Sequence, residues 1–196
     1  QHFPRSRLVC VENTHNRGGG KVWPTDRLTE LTAAARRHQL RLHLDGARLW
    51  NAAVASGVAE RDLAGPFDSV NVCFSKGLGA PVGSAIAGPR DFITRCRRFR
   101  KMFGGTMRQV GIIAAGALHA LEHHRARLVE DHTHARRLAE GLAELPGVNL
   151  RPADVETNIV FFRVTRAKAA EVATELEARG VRMLALGPDT IRAVTH

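Results

Sequence analysis

The chain has 196 residues, of which 44% are hydrophobic and 24% are charged, and its formal net charge is +10. This is the composition of an ordinary globular protein with room for one to one and a half domains, and it excludes a largely disordered chain. No apolar run approaches membrane length, so no membrane partner is expected, and no signal-peptide pattern is visible.

The cysteines suggest a reducing environment. Cys10, Cys73 and Cys96 lack CxxC spacing, and two of them lie in apolar, strand-like stretches. We therefore predict buried free thiols and a cytoplasmic location.

The densest source of positive charge is one basic run, which consists of Arg95, Arg97, Arg98, Arg100 and Lys101. Helical spacing distributes these side chains around most of a helix, and aromatic residues do not alternate with them as they do in a single-strand-binding surface. The run therefore predicts a solvated face or a subunit contact, and we expect no nucleic-acid partner.

The amino-terminal elements begin with a short apolar strand at Leu8 to Val11. The glycine-rich stretch Arg17 to Gly20 matches neither G-x-G-x-x-G nor a GK[ST] ending, so it predicts a plain loop. A helix is predicted from Arg27 to His38, with Thr25 or Asp26 as its cap.

The next strand alternates leucines and ends on a carboxylate. Leu40, Leu42 and Leu44 precede Asp45, and Gly46 turns the chain. A helix from Ala47 to Ser56, stopped by Gly57, and a strand containing Val70, Val72 and Phe74 are predicted to follow. This alternation of strands and helices predicts an α/β fold with a mostly parallel sheet.

A lysine follows the third predicted strand. Ser75 and Lys76 lie at its carboxyl end, and the glycines at 77, 79 and 83 oppose a helix there. Desolvation favours the neutral form of an amine, which is the form that attacks a carbonyl carbon to make an imine. Because the carboxyl ends of parallel strands face a common crevice, Asp45 and Lys76 would meet there. A carboxylate and an imine-forming lysine are what pyridoxal phosphate requires.

The carboxyl-terminal half predicts a second, smaller domain. A strand at Ser84 to Ala87 and a helix after Pro89 precede a helical pattern from Met107 to about Gly141, read as one long helix or two abutting ones. Pro146-Gly147 marks the boundary, so the predicted domains are 1–145 and 146–196. The small α+β domain has strands at 158–164 and 191–194 around a helix at 167–179.

One competing motif lies within the long helical pattern. His119, Glu122 and His123 match H-x-x-E-H, the inverted zinc-peptidase motif. A zinc site would need a third ligand downstream, whereas His124, Arg125 and Arg127 are typical of a solvated helix face. We therefore predict no metal site.

Five stretches carry a family resemblance that runs in order along essentially the whole chain: ENTHN at Glu12 to Asn16, HLDGAR at His43 to Arg48, CFSKGLGAPVGS at Cys73 to Ser84, RKMFGGTMRQVG at Arg100 to Gly111, and IRAVTH at Ile191 to His196. They resemble the low-specificity L-threonine aldolases, which are pyridoxal-phosphate enzymes of the aspartate-aminotransferase fold type I. The resemblance implies retro-aldol cleavage of L-threonine or L-allo-threonine to glycine and acetaldehyde.

The resemblance also implies roles for particular residues. Lys76 would hold the cofactor as a Schiff base and Asp45 would keep its ring nitrogen protonated, with Arg48 and Ser75 as further cofactor-binding residues. Arg192 would grip the substrate carboxylate, assisted by Arg48 and Lys101. His2 matches a family histidine near the substrate hydroxyl, where an imidazole suits proton transfer near neutral pH. Family members are tetramers, so we expect a homo-oligomer, either a dimer or a tetramer.

The resemblance implies a further segment upstream, in which the sheet begins and a Ser/Thr/Gly loop holds the cofactor phosphate. The chain starts at Gln1, inside that pattern, so we expect this large domain to be incomplete and the 196 residues alone to bind cofactor weakly. Two alternatives stay open: another fold type I lyase of the β-eliminating kind, and a non-catalytic fragment.

Overall fold

The computed structural model describes residues 4–196, so the predicted role of His2 lies outside the described residues. The chain forms two compact units. The first comprises the chain through Thr14 together with Trp23–Ala126, and the second comprises His15–Val22 together with Arg127–His196. The predicted division into domains 1–145 and 146–196 differs from these units and stays a prediction.

The first unit is built on a four-stranded sheet in the order β1-β2-β3-β4. Strands β1, β2 and β3 are parallel, and β4 pairs antiparallel with β3. The strands are Leu8–Glu12 (β1), Arg41–Gly46 (β2), Ser69–Cys73 (β3) and Ser84–Ala87 (β4). The α/β fold with a mostly parallel sheet is therefore confirmed.

Alternation of side chains along β2 explains how this sheet buries its core. Leu42 and Leu44 are fully buried on one face, whereas His43 and Asp45 point to the other face and are half-buried. Successive side chains of a strand point to opposite faces, so the leucines supply packing while the odd-numbered positions are left for polar groups.

The helices of the first unit are Thr25–Arg37 (α1), Leu49–Ser56 (α2), Glu60–Ala64 (α3), Arg90–Met102 (α4) and Gly111–His123 (α5). Helix α2 ends at Gly57, as predicted, in a left-handed conformation with φ of 70°. The predicted cap of α1 is wrong. This helix already includes Thr25 and Asp26 in its first turn, and Pro24 occupies the cap position, where it makes no side-chain hydrogen bond.

The second unit packs two helices on an antiparallel sheet. Its elements are Leu128–Ala143 (α6), Val148–Asn149 (β5), a short 3-10 helix at Pro152–Asp154, Ile159–Val164 (β6), Ala169–Ala178 (α7), Leu184–Ala185 (β7) and Thr190–Val194 (β8). The sheet order is β5-β6-β8-β7, and its core includes Ala135, Val160, Phe162 and Ile191. The predicted 107–141 pattern is thus two helices, α5 and α6.

The segment His15–Val22 is held in the second unit by residues far along the chain. The Thr157 hydroxyl donates to the carbonyl of Gly20 at 2.7 Å, and the N–H of Val22 donates to the Glu156 carboxylate at 2.8 Å. Gly20 has φ of 71°, and an added Cβ would lie 2.5 Å from the Thr157 hydroxyl oxygen. Only glycine therefore fits this turn without displacing its neighbours.

The cysteines are free, but the prediction that they are buried is wrong. Cys10 is exposed, and Cys73 and Cys96 are half-exposed. No described helix is long and apolar enough to cross a membrane.

Candidate active site

Asp45 and Lys76 lie at the carboxyl ends of two neighbouring parallel strands, β2 and β3. Asp45 on β2 pairs in register with Asn71 on β3, and Lys76 lies just beyond the end of β3 at Cys73. Both side chains are half-buried. The predicted placement of a carboxylate and a lysine at one sheet edge thus corresponds to the geometry of β2 and β3.

The backbone around Lys76 is fixed by a compact turn that we call the lysine loop (74–83). The N–H of Phe74 donates to the carbonyl of Gly83, the N–H of Gly79 to the carbonyl of Lys76, and the N–H of Ala80 to the carbonyl of Phe74. Gly79 and Gly83 have φ values of 71° and 122°, which side-chain-bearing residues rarely adopt. The glycines after Lys76 therefore shape this turn.

A buried leucine within the lysine loop fixes the position of the loop. Leu78 is almost fully buried, and its carbonyl lies 2.6 Å from Nδ1 of His124. Because a carbonyl only accepts hydrogen bonds, Nδ1 of His124 must donate. This contact fixes the main chain two residues from Lys76.

The Lys76 ammonium has one neighbour on β3. Its Nζ donates to Sγ of Cys73 at 3.1 Å. A thiol is a weak acceptor, so this contact orients the lysine side chain without the strong ion pair that a carboxylate would form. Such a lysine can attack a carbonyl carbon once it is deprotonated.

The carboxylate of Asp45 is held through one of its two oxygens. The N–H of Ala47 donates to Oδ1 at 3.1 Å, and Nδ2 of Asn71 donates to the same oxygen at 3.0 Å. The other oxygen, Oδ2, takes no part in either bond. An ionised carboxylate accepts several hydrogen bonds, so Asp45 can accept another from a protonated ring nitrogen.

Two further polar side chains extend this contact along the same face of the sheet. His43 Nε2 lies 2.9 Å from Oδ1 of Asn71, and its Nδ1 lies 2.8 Å from Oγ of Ser69. We call His43, Asn71 and Ser69 the strand network. Our sequence reasoning did not single out its members, although polar residues alternate with apolar ones along both strands.

Arg192 belongs to the second unit, on β8 opposite Phe161 of β6. One terminal nitrogen, Nη1, donates to Oδ1 of Asn16 at 2.9 Å. Its Nε is buried and has no hydrogen-bond partner in the part of the chain that the structure describes. A buried N–H donor without a partner lowers the stability of the fold unless a ligand accepts its hydrogen bond.

The other predicted site residues occupy varied places. Arg48 is half-buried and immediately precedes α2, and Ser75 is exposed in the lysine loop. Lys101 is exposed near the end of α4. These three residues are placed by the fold, while their roles stay predictions.

The H-x-x-E-H stretch has its histidines together but no metal cluster. The rings of His119 and His123 lie 4.4 Å apart, and residues 4–196 contain no group of three or more metal-binding side chains. The expectation of a solvated face just beyond it is wrong for His124, which is half-buried and contacts Leu78. Arg125 and Arg127 are exposed, and Arg125 pairs with Glu60 and lies over the Trp50 ring.

Comparison with known proteins identifies the family. The family model described as "Beta-eliminating lyase" matches residues 1–165. The chain belongs to the beta-eliminating lyase family.

Relatives in this family resemble the chain along nearly all of its length. It is 42% identical over 197 residues to a protein from Arabidopsis thaliana named low-specificity L-threonine aldolase 1, an alignment that covers 99% of this chain and 55% of that relative. It is 45% identical over 195 residues to the low specificity L-threonine aldolase of Escherichia coli K12, covering 100% of this chain and 56% of the relative. The chain therefore spans about half the length of the relatives it matches.

Solved structures share the fold of this chain. A putative L-allo-threonine aldolase from Listeria monocytogenes superposes with a TM-score of 0.83 at 24% identity, covering 96% of this chain and 55% of that one. A putative aromatic amino acid beta-eliminating lyase/threonine aldolase from Exiguobacterium gives 0.82 at 26% identity, with the same coverages. The fold type predicted from the family resemblance is therefore confirmed.

Proposed function

We propose that the protein catalyses retro-aldol cleavage of L-threonine or L-allo-threonine to glycine and acetaldehyde with pyridoxal phosphate. The observation that carries the proposal is the pair of Asp45 and Lys76 at the ends of adjacent parallel strands. The names of the relatives from Arabidopsis thaliana and Escherichia coli support the substrate.

The residues present at the sheet edge fit the cofactor. When bound, pyridoxal phosphate supplies an electron sink for the bond that is broken. Lys76 would hold it as a Schiff base through Nζ, whose Cys73 contact is weak enough to exchange. Asp45 would accept the ring N–H through Oδ2, because its two described hydrogen bonds both end on Oδ1.

Arg192 would bind the substrate carboxylate. Its buried Nε without a partner supports this role, since an arginine presents paired N–H donors to the two oxygens of a carboxylate. Asn16 holds one end of the guanidinium and so limits its rotation.

The other predicted roles rest on the family resemblance. His2 would exchange a proton with the substrate hydroxyl, Arg48 and Ser75 would contact the cofactor, and Lys101 would contact the substrate. We also propose a homo-oligomer, a dimer or tetramer, in the cytoplasm. Exposed apolar residues on α4 and after it, such as Phe99, Met102 and Phe103, support contact with another chain, and the free cysteines support a reducing compartment.

The test is a product assay. Purified chain is incubated with pyridoxal phosphate and each of L-threonine, L-allo-threonine and L-serine, and acetaldehyde, glycine and pyruvate are measured. Since the chain spans about half the length of its relatives, the assay is repeated on the extended chain, a fusion that adds the part of the Escherichia coli relative outside the alignment.

The three candidate activities give different products. Acetaldehyde and glycine in equal amounts support the aldolase. Pyruvate and ammonia from L-serine, without acetaldehyde and glycine from L-threonine, support β-elimination, which the family description and the Exiguobacterium structure favour as the second candidate. Product from the extended chain alone indicates that the 196 residues are a non-catalytic fragment, and absence of product from both proteins contradicts the proposed function. Lys76→Ala is the negative control for both proteins.

A further inference from the structure

We propose that Asn71 and His43 are positioning residues that orient the Asp45 carboxylate towards the cofactor ring. This inference rests on the proposed function and concerns residues to which neither the family resemblance nor the comparisons assign a role. It is carried by a continuous series of hydrogen bonds that runs from Ser69 through His43 and Asn71 to Asp45.

The strand register makes the series possible. Asp45 lies opposite Asn71, and His43 lies opposite Ser69 on the adjacent parallel strand. All four are half-buried and on the face opposite the fully buried leucines of β2. At this partial burial, water competes less for these hydrogen bonds, which strengthens them.

The chemistry of the groups fixes the direction of every bond. An ionised carboxylate only accepts, so the amide nitrogen of Asn71 must face Asp45 and its oxygen must face His43. That oxygen in turn only accepts, so Nε2 of His43 must carry a proton. In a neutral imidazole, Nδ1 is then an acceptor and takes the hydroxyl proton of Ser69. Every donor in the series thus points towards Asp45.

The consequence is a carboxylate fixed through one oxygen. Asn71 and the Ala47 N–H hold Oδ1, which leaves Oδ2 as the atom that would receive the protonated ring nitrogen. Hydrogen bonds to a charged acceptor are stronger than neutral ones and strengthen further when their donors are themselves polarised. Without Asn71, the carboxylate could rotate away from the ring.

The experiment separates orientation of Asp45 from general stability by changing the cofactor. Dissociation constants are measured in the chain, and in the extended chain in parallel, for pyridoxal phosphate and for its 1-deaza analogue, in which carbon replaces the ring nitrogen. Asn71→Leu is similar in size but makes no hydrogen bond. We expect it to weaken binding of pyridoxal phosphate about tenfold and to change binding of the analogue less than about twofold.

Further variants compare the contribution of each member of the strand network to cofactor affinity and supply a control. His43→Gln keeps a donor near the position of Nε2 and should preserve most of the affinity, whereas His43→Leu should resemble Asn71→Leu. Ser69→Ala should have the smallest effect of the strand network. Thr32→Val is the matched control, because this buried hydroxyl bonds only within α1, to the carbonyl of Thr29, and its loss should leave both affinities unchanged.

A second measurement needs no variant and no cofactor. In ¹⁵N-labelled chain at alkaline pH, long-range ¹H–¹⁵N spectra should show His43 as the Nε2–H tautomer. The Nδ1–H tautomer would mean that Asn71 presents its oxygen to Asp45, which overturns the inference.

The binding outcomes distinguish failure of the inference from failure of the proposed function. If Asn71→Leu weakens both cofactors equally, or neither, while wild type binds pyridoxal phosphate through Lys76, the positioning role alone is overturned. If neither wild-type protein binds the cofactor, the proposed function is wrong and the inference is overturned with it.

Discussion

At the scale of single residues, the proposed chemistry depends first on Lys76, which follows the end of β3. Lys76→Ala removes the only amine at the end of β3 in the described chain, so we expect complete loss of cofactor trapped by borohydride. Mass spectrometry of reduced, digested protein measures this. Lys168→Ala, an exposed lysine of the second unit, is the control and should change nothing. Cofactor attached elsewhere in the Lys76 variant would contradict the assignment.

Asp45 should matter for turnover more than for attachment of the cofactor. Asp45→Asn keeps the size of the side chain but removes the charge that would hold a ring nitrogen protonated. At saturating cofactor we expect Lys76 still to be trapped by borohydride, although with a raised dissociation constant for the cofactor, while acetaldehyde release falls at least about a hundredfold. Stopped-assay kinetics beside borohydride trapping measure both effects. Asp62→Asn on α3 is a matched exposed control, and near-normal turnover in Asp45→Asn would remove Asp45 from the mechanism.

Arg192 tests recognition of the substrate. Arg192→Lys replaces a planar fork by a point charge, so we expect KM for threonine to rise about tenfold or more with a smaller change in kcat. Steady-state kinetics measure this. Arg163→Lys, an exposed arginine on the neighbouring strand β6, is the control. An unchanged KM would shift carboxylate binding to another residue, with Arg48 next to be tested.

At the scale of elements, Asp68 joins the start of β3 to β2 and α1. Its carboxylate accepts from Arg36 and from the N–H of Leu42, both at 2.7 Å. Burial opposes its ionisation, but these hydrogen bonds, the charge of Arg36 and a further bond from Arg41 outweigh burial, so the pKa of Asp68 lies below its ordinary value of 3.8. The charged form therefore stabilises the fold.

Asp68→Asn should lower the free energy of unfolding by about 1–3 kcal/mol at neutral pH. A carboxyl whose pKa is lower in the folded state stabilises above its unfolded pKa, and this stabilisation is lost as the pH falls through the folded value. The wild type should therefore lose stability below pH 3.8 more steeply than the variant. Urea unfolding at several pH values measures this, and equal slopes would contradict the prediction. Asp62→Asn is the control.

Some of these elements could be predicted from the sequence and others could not. Alternating leucines located β2, and a lysine after an apolar strand located the candidate site, because both signals are local. The sequence pattern alone does not locate the break between α5 and α6, because the break coincides with contacts of His124 and Arg125 to residues distant in sequence. The strand network was missed for a similar reason: Asn71 reaches Asp45 only in one strand register. The strands β5 and β7, of two residues each, are too short to leave a periodic signal.

On the scale of the whole chain, the second unit depends on a segment distant in sequence, His15–Val22. Thr157→Val removes the hydroxyl that binds the Gly20 carbonyl and leaves a buried acceptor unpaired. We expect a loss of about 1–3 kcal/mol in unfolding free energy and faster amide exchange in residues 16–22. Hydrogen-exchange mass spectrometry measures the local effect. Thr174→Val, an exposed threonine that bonds within α7, is the control, and unchanged exchange in 16–22 would contradict the prediction.

This arrangement has a consequence for biosynthesis. Residues 15–22 are translated before the rest of the second unit, which begins at Arg127, and 104 residues (23 to 126) are translated in between. At roughly 5–20 residues per second, about 5–20 s pass before translation reaches Arg127, and more time passes before it reaches Glu156 and Thr157. During that interval the first unit can form around an unsatisfied loop. Synonymous codons that slow translation of residues 23–126 would therefore prolong the time for which residues 15–22 lack these partners.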